Sequence, residues 1–230
     1  MSELAHFEVG GRRIAYRLRK GSFPTLVFLP GYASDMEGTK AQALDAFAES
    51  RDVAMLRIDY SGTGSSGGRF EEGTLAAWLE EALAAIDRLT EGPLVLLGSS
   101  MGGWIALHLA LLRPERVRAL VGIAAAPDFT DWGFADGAAA ESQGLARGFW
   151  ESGQQLLILD KEMPIDCPVR LLHGECDEEV PLETAFRTMR ALRSGDVQLN
   201  VLKGGGHRLS ERHEIDAILR TVAELLEPAF

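Results

Sequence analysis

Short runs of apolar residues alternate along this chain with longer segments in which apolar residues recur every three or four positions. A short apolar run is typical of a strand that is buried on both faces, and the longer spacing is typical of an amphipathic helix. Together they predict an α/β fold, with an eight-stranded, mostly parallel sheet and helices on both faces. The predicted strands are residues 6–9, 12–17, 25–29, 53–58, 94–97, 117–123, 169–172 and 197–202.

Five longer segments are predicted to be helices between these strands. The clearest spans residues 74–89, where apolar residues recur at helical spacing and glutamates occupy the opposite face. The other predicted helices are residues 38–49, 104–112, 182–192 and 214–226. The alternation stops only between residues 127 and 164. We therefore expect a single domain over residues 1–230 with a short cap insertion at about 127–165.

Composition and charge narrow the range of functions. The net charge is −11, which disfavours binding to nucleic acid or to an anionic membrane surface. No apolar run approaches the roughly 18 residues that a membrane span requires, and the first residues lack the pattern of a secretory signal. We expect a cytoplasmic protein in which Cys167 and Cys176 are reduced and buried. Neither a metal nor an organic cofactor is expected.

The segment Gly98-Ser-Ser100-Met-Gly102 carries the main candidate chemistry. It matches G-x-S-x-G, a pattern that is informative where a buried strand precedes the serine and a helix follows it. Both flanks are predicted here. The serine then stands on a tight turn that exposes its hydroxyl group, and the glycines avoid a clash with the neighbouring strand and helix. Ser100 is therefore the candidate nucleophile.

A serine hydroxyl group needs an adjacent base at neutral pH. In α/β folds with this strand–serine–helix motif, the base follows the last strand of the sheet. His207 lies at that position, in the flexible segment Gly204-Gly-Gly-His207, and is the candidate base. His6 precedes the core of the sheet, His108 lies on the helix after the nucleophile, and His213 lies at the polar start of the last helix. These three are expected to be structural or solvated.

The acid that orients the base is expected after the penultimate strand, where residues 175–179 supply four carboxylates. Asp177 is the candidate, and Glu178 is the alternative within the same loop. Asp59, at the end of another strand, is the main rival on geometry, although its position is more typical of a residue that braces a loop. His173 is expected to brace the acid loop.

Acyl transfer also needs N–H donors for the oxygen that becomes negative during the reaction. In this type of fold one donor is the residue after the nucleophile, and the other lies in the loop after an earlier strand. Those positions are Met101 and, in Pro30-Gly31-Tyr32, Tyr32. Their backbone N–H groups are therefore the candidate oxyanion hole.

One other glycine-rich motif follows a strand. Gly62-x-Gly64-x-x-Gly67 resembles a dinucleotide-binding turn, but such a turn leads directly into a helix, and here residues 68–73 intervene. Nucleotide binding is therefore disfavoured.

Several segments carry a resemblance to a known family. They are residues 30–40, 59–65, 98–104, 122–128 and 168–174. They resemble the α/β-hydrolase superfamily, and within it the bacterial hydrolases related to alpha/beta hydrolase domain-containing protein 10, a mitochondrial protein depalmitoylase and acyl-glucuronide esterase. The resemblance implies that a small-molecule ester or acyl-thioester is hydrolysed through an acyl-enzyme on Ser100, with Asp177 and His207 at the matching triad positions.

The chain departs from these relatives between residues 127 and 164, where the insertion is shorter than their helical lid. A shorter lid implies a more open cleft, and with it short-to-medium acyl groups. Two other functions stay open: a serine peptidase or amidase on the same fold, and a binding protein without catalysis.

Overall fold

A computed structural model describes residues 2–227 of the chain. The strands are β1 (Leu4–Val9), β2 (Arg12–Arg19), β3 (Ser22–Leu29), β4 (Val53–Ile58), β5 (Leu94–Ser99), β6 (Val117–Ile123), β7 (Val169–Gly174) and β8 (Val197–Leu202). The α-helices are α1 (Thr39–Ser50), α2 (Leu75–Leu89), α3 (Met101–Leu112), α4 (Phe129–Trp132), α5 (Gly137–Ser142), α6 (Arg147–Gln154), α7 (Leu182–Ala191) and α8 (Arg212–Leu226). None of the helices in these residues is long and apolar enough to cross a membrane.

All of these strands belong to one sheet, in the order β1-β2-β4-β3-β5-β6-β7-β8. The pairs β1–β2 and β2–β4 are antiparallel, and every other neighbouring pair is parallel. The predicted eight-stranded, mostly parallel sheet is confirmed. Because parallel strands end at the same edge of a sheet, the loops after β3, β5, β7 and β8 all leave from that edge, which is where sites form in such folds.

Both faces of the sheet are buried at its centre, which explains why β4 and β5 are mostly apolar, whereas β1 and β8 at the edges are partly exposed. Side chains alternate between the faces, so that Leu26 and Phe28 of β3 belong to one core cluster and Val27 and Leu29 to the other. Helices α1 and α8 cover the first face, whereas α2 and α3 cover the second. Each fully buried leucine or valine stabilises the fold by roughly 1.5–3 kcal/mol.

Residues 127–165, which we call the cap segment, contain three short helices, α4 to α6, that the sequence pattern did not identify. Helix α5 shows why. Asp136 caps it by accepting a hydrogen bond from the N–H of Ala139 at 2.8 Å, but the helix is only six residues long and consists mainly of alanine. A segment so short and so poor in large apolar residues has no periodicity to read.

The two cysteines differ from the expectation that both are buried. Cys176 is exposed, because it lies beyond the end of β7 in a surface turn. Cys167 is partly buried, and burial raises the pKa of its thiol to about 11. Both cysteines are free thiols, as expected.

Candidate active site

Ser100 stands where β5 turns into α3, as the motif predicts. Its backbone has φ 53° and ψ −121°, a conformation that residues with a side chain rarely adopt. The N–H of Ser100 donates to the carbonyl of Ile123 at 2.9 Å. Its own carbonyl accepts from Gly103 at 2.8 Å and from Ala126 at 3.0 Å. The neighbouring strand and helix therefore hold the strained turn in place.

The glycines around Ser100 have no room for a side chain. A Cβ atom on Gly98 would overlap the carbonyl of Gly102, and one on Gly102 would overlap the carbonyl of Leu29. A Cβ atom on Gly31 would lie 3.3 Å from the Cβ of Ser100. The absence of side chains at these positions lets the loop after β3 pack directly against the candidate nucleophile.

His207, in the loop after β8, bridges Ser100 and Asp177. Its Nε2 lies 3.0 Å from Ser100 Oγ, and its Nδ1 lies 2.9 Å from Asp177 Oδ2. The structure thus brings together the predicted nucleophile, base and acid from the loops after three different strands. When Nδ1–H donates to Asp177, Nε2 is left to accept the proton of the serine hydroxyl group.

The carboxylate of Asp177 is buried and is held by its own loop. Its Oδ1 accepts hydrogen bonds from the N–H groups of Glu179 at 3.0 Å and Val180 at 2.8 Å. Burial raises the pKa of Asp177, but the hydrogen bonds from His207 and from these N–H groups outweigh burial, so the pKa lies below its ordinary value. Asp177 is therefore ionised at neutral pH and can accept the hydrogen bond from the base.

His173, at the end of β7, contacts both Asp177 and the loop that carries it. Its Nε2 lies 2.9 Å from the carbonyl oxygen of Val180 and 3.4 Å from Asp177 Oδ2, and its side chain is 1% exposed. It braces the acid loop, as the sequence predicts.

The loop that carries the acid, residues 175–181, also supports the loop that carries the base, residues 203–210. We call them the acid loop and the base loop. The N–H of Cys176 donates to the carbonyl of Gly205 at 2.8 Å, and the N–H of Gly204 donates to the carboxylate of Glu175 at 3.0 Å. The two loops therefore form one connected unit.

The rival carboxylates, Asp59 and Glu178, do not hydrogen-bond with the candidate base within residues 2–227. Asp59 accepts from the N–H groups of Met36 at 2.7 Å and Ser65 at 2.8 Å, so it braces the loops after β3 and β4. Burial raises the pKa of Asp59. Glu178 is exposed.

Tyr32 and Met101 both line the cleft beside Ser100. Met101 is the first residue of α3, a position whose N–H has no partner inside a helix. Neither its N–H nor that of Tyr32 donates a hydrogen bond to another group in the described part of the chain. Both N–H groups are therefore available to an acyl oxygen, and the positive end of the α3 dipole favours negative charge there.

The candidate triad opens into a cleft of about 870 Å³, a size typical of small-molecule sites. The cap segment contributes three aromatic residues and one polar residue to its lining, Phe129, Trp132, Phe134 and Gln143, and Ala126 lines the cleft directly before the segment begins. The loop before α1, the start of α1 and the base loop contribute polar residues: Ser34, Asp35, Thr39, Lys40, Arg208 and Ser210. In residues 2–227, no three His, Cys, Asp or Glu side chains come together in a group that could hold a metal ion.

Hydrogen bonds hold both ends of the cap segment. The carboxylate of Asp128 accepts a hydrogen bond from the N–H of Leu159 at 2.7 Å. The carbonyl of Leu156 lies 3.2 Å from Trp104 Nε1, which donates to it, and 3.0 Å from His108 Nε2. Trp104 and His108 both lie on α3, so the end of the cap segment is tied to the helix that follows the candidate nucleophile.

Burial shifts the pKa of two of these groups. It raises the pKa of Asp128, although the N–H groups that Asp128 accepts from lower it. It lowers the pKa of His108, which favours a neutral ring whose Nε2–H donates to Leu156. His108 is therefore structural, as predicted. His6 contacts the carbonyl of Ser65 at 3.2 Å at the surface, away from the candidate triad.

The ring of Tyr32 packs in an aromatic cluster with the cap segment. Its centroid lies 5.0 Å from those of Phe70 and Phe149 and 5.9 Å from that of Trp78. Burial raises the pKa of Tyr32. The residue that supplies a candidate oxyanion donor is thus held by contacts with the cap segment.

Sequence reasoning missed two side chains beside the site. The carboxylate of Asp128 holds the end of the cap segment, and its only signals were its position soon after β6 and its place in segment 122–128, which carries the family resemblance. Lys40 donates a hydrogen bond to the carbonyl of Arg208 in the base loop. Its only signal was its place in the segment 30–40, one of those that carry the family resemblance.

Comparison with known proteins identifies the family of this chain. The family profile described as alpha/beta hydrolase fold matches residues 24–149. Mitochondrial palmitoyl-protein thioesterase ABHD10 of Homo sapiens is 37% identical over 234 aligned residues, which cover 93% of this chain and 76% of that protein.

Solved structures extend the similarity to nearly the whole chain. Alpha/beta hydrolase domain-containing protein 10 from mouse is 34% identical, with a TM-score of 0.91 over 98% of both chains. A protein from Agrobacterium vitis S4, provisionally assigned as a hydrolase, is 34% identical, with a TM-score of 0.90 over 99% of both chains. The resemblance inferred from the sequence is confirmed.

Proposed function

Because the chain belongs to the alpha/beta hydrolase family, we propose that Ser100, His207 and Asp177 are the catalytic triad of a serine esterase or thioesterase. The chain is a hydrolase of the esterase and thioesterase type. The observation that carries the triad is the bridging position of His207, at 3.0 Å from Ser100 Oγ and 2.9 Å from Asp177 Oδ2. These are the two hydrogen bonds that activate a serine hydroxyl group.

In the first step, Ser100 Oγ attacks the acyl carbonyl carbon while His207 Nε2 takes the hydroxyl proton. The imidazolium that forms is stabilised by the ionised carboxylate of Asp177. When the tetrahedral intermediate collapses, the bond to the leaving group breaks, and His207 gives its proton to the departing alcohol or thiol. The products of this step are an acyl-enzyme on Ser100 and the free leaving group.

In the second step, water replaces the leaving group. His207 Nε2 takes a proton from the water as the water oxygen attacks the acyl-enzyme, and then returns the proton to Ser100 Oγ. The carboxylic acid leaves, and the enzyme is restored.

The backbone N–H groups of Met101 and Tyr32 are proposed to donate hydrogen bonds to the negative oxygen of both tetrahedral intermediates. Both N–H groups lack a partner in the described residues and belong to residues that line the cleft beside Ser100. Removal of one such donor costs roughly 3 kcal/mol in other hydrolases. Because both donors are backbone groups, side-chain substitutions at these positions leave them in place.

The substrate is proposed to be a small-molecule ester or acyl-thioester with a short-to-medium acyl group. The relatives named above include palmitoyl-protein thioesterases, which supports thioesters as a substrate class. The aromatic lining from the cap segment suits an apolar acyl group, whereas the polar lining from α1 and the base loop suits a polar leaving group. The cap segment, with three short helices, supports the shorter acyl chain.

A cytoplasmic location and the lack of a metal or cofactor stay predictions from the sequence. The name of palmitoyl-protein thioesterase ABHD10 carries a mitochondrial designation.

Replacement of the nucleophile tests this proposal. Ser100→Ala should lower kcat for p-nitrophenyl butyrate about 10⁶-fold while the protein stays folded, because no other group in the site forms the acyl-enzyme. Covalent labelling of the wild type by a fluorophosphonate at Ser100, and none of the variant, should accompany the loss. Retained turnover by Ser100→Ala would rule out the triad.

The same assay separates the alternatives. A peptide substrate cleaved faster than p-nitrophenyl esters and acyl-thioesters would identify a peptidase, and a wild type without labelling would identify a binding protein. A sharp optimum beyond about eight carbons in the acyl chain would contradict the short-to-medium acyl group.

A further inference from the structure

One charged side chain of the cleft has no part in the chemistry described above. Lys40 is the second residue of α1 and lines the cleft together with His207 and Arg208. Its ammonium group donates a hydrogen bond to the backbone carbonyl of Arg208, the residue that directly follows His207. The two residues are 168 positions apart in the sequence, so the contact exists only in the folded chain.

The base loop is held differently on its two sides. Before His207, the acid loop holds it through hydrogen bonds at Gly204 and Gly205. After His207, the hydrogen bond from Lys40 is the only one that a side chain makes to residues 208–210 within the part of the chain described. This second side is also strained, because Leu209 has φ 42° while its side chain is buried.

Lys40 is partly buried, and its surroundings include the carboxylate of Glu214. Burial lowers the pKa of Lys40, and the carboxylate of Glu214 raises it. Glu214 is itself fixed, because it accepts a hydrogen bond from the N–H of Glu211 in the capping box of α8. The ammonium group thus joins α1 to the base loop.

We propose that Lys40 is a positioning residue for His207: it holds the carbonyl of Arg208 so that the base loop presents Nε2 to Ser100. This proposal rests on the triad proposed above. Without the tether, the base loop has more freedom, and the hydrogen bond between Nε2 and Oγ forms in a smaller fraction of the molecules. The rate of acylation then falls, whereas the acyl contacts of the cap segment are unchanged.

The test compares substitutions at Lys40 with a matched control. Lys40→Met keeps most of the length of the side chain and removes the donor, so kcat for p-nitrophenyl butyrate should fall about 100-fold, with little change in KM. The rate of fluorophosphonate labelling at Ser100 should fall in parallel. Lys40→Arg keeps a cation with hydrogen-bond donors and should recover most of kcat.

Lys203→Met is the control, because Lys203 is an exposed lysine of the same loop that makes no hydrogen bond within residues 2–227. It should keep the kcat and the labelling rate of the wild type. Lys40→Ala, which also removes the donor and is a favourable residue in a helix, repeats the test and decides it if Lys40→Met does not fold.

Four results would overturn the proposal: wild-type kcat in folded Lys40→Met or Lys40→Ala, a rise in KM at unchanged kcat, an equal loss in Lys203→Met, or a Lys40→Arg variant as slow as Lys40→Met. Failure of the triad itself is separate, because it is decided by Ser100→Ala. If turnover depends on Ser100 but not on Lys40, only the role of Lys40 is wrong.

Discussion

The loops that carry Ser100, Asp177 and His207, which we call the reaction loops, line the same cleft as the cap segment but are built in a different way. The reaction loops are short connections at the end of parallel strands, where the acid and base loops are joined by a backbone hydrogen bond from Cys176 to Gly205 and by the carboxylates of Glu175 and Asp177. The cap segment is an insertion of three short helices whose ends are held by the side chains of Asp128, Trp104 and His108. The order of the strands therefore fixes the geometry of the reaction, whereas individual side chains fix the wall that faces the acyl group.

The largest expected effect lies in the reaction loops. Asp177→Asn should lower kcat for p-nitrophenyl butyrate about 10⁴-fold, because an amide at this position no longer holds His207 in the tautomer that leaves Nε2 free to accept. Glu178→Gln is the matched control, since Glu178 is the neighbouring exposed carboxylate. It should leave kcat unchanged. A loss in Glu178→Gln with activity retained in Asp177→Asn would reverse the assignment of the acid.

A smaller effect is expected at the end of the cap segment. Asp128 accepts hydrogen bonds from the N–H groups of Ile158 and Leu159, and its side chain is buried. Asp128→Asn places an NH₂ group against these donors and should lower the free energy of unfolding by about 1–3 kcal/mol. Turnover of p-nitrophenyl acetate should stay near that of the wild type, while the preference among longer acyl chains should broaden.

Asp131→Asn, in the same short helix but exposed, is the control for this variant. Chemical unfolding measures the stability, and a series of p-nitrophenyl esters measures the chain-length preference. If Asp128→Asn lowers kcat for the acetate as strongly as for longer esters, the cap segment affects the reaction itself and not only the preference for the acyl chain.

The smallest effect is a difference in pH dependence between the two regions. The pKa of Asp177 is lowered in the folded protein, so its contribution to stability is present above about pH 4 and is lost as the pH falls through the folded pKa. The pKa of Asp128 is raised mainly by burial, so its contribution is complete below about pH 4 and is lost as the pH rises through the folded pKa.

The stability lost in Asp177→Asn should therefore shrink toward acid, and that lost in Asp128→Asn should shrink toward neutral pH. Urea unfolding of each variant beside the wild type, between about pH 3 and pH 7, measures both trends. Parallel trends for the two variants would show that the carboxylates do not differ in this way.

The sequence was sufficient to predict the strands in which consecutive residues are buried. Strand β4 is buried at every position, and β5 is buried on both faces up to Ser99, so each was visible as an apolar run. The candidate triad could be predicted because parallel strands place their loops at one edge. Chain order alone then selected His207 among five histidines.

The parts that the sequence did not predict depend on contacts between distant residues. The hydrogen bond from Lys40 to Arg208 leaves no periodic trace, and the helices α4 to α6 are too short to have one. The exposure of Cys176 also depends on the direction of a turn rather than on residue type. Local patterns report burial, but they do not report which distant side chain meets which backbone group.

The hydrogen bonds at the two ends of the cap segment limit how this segment can be exchanged between homologous chains. The residues between Asp128 and Leu156 are bounded by contacts to α3 and to the carboxylate of Asp128, and neither end depends on the sequence in between. A foreign segment that replaces these residues must also keep an aromatic residue at position 149, because the ring of Phe149 packs against Tyr32 and Trp78. Exchange of this segment is therefore expected to change substrate preference, with the candidate triad left in place, only where both the end contacts and this aromatic contact are kept.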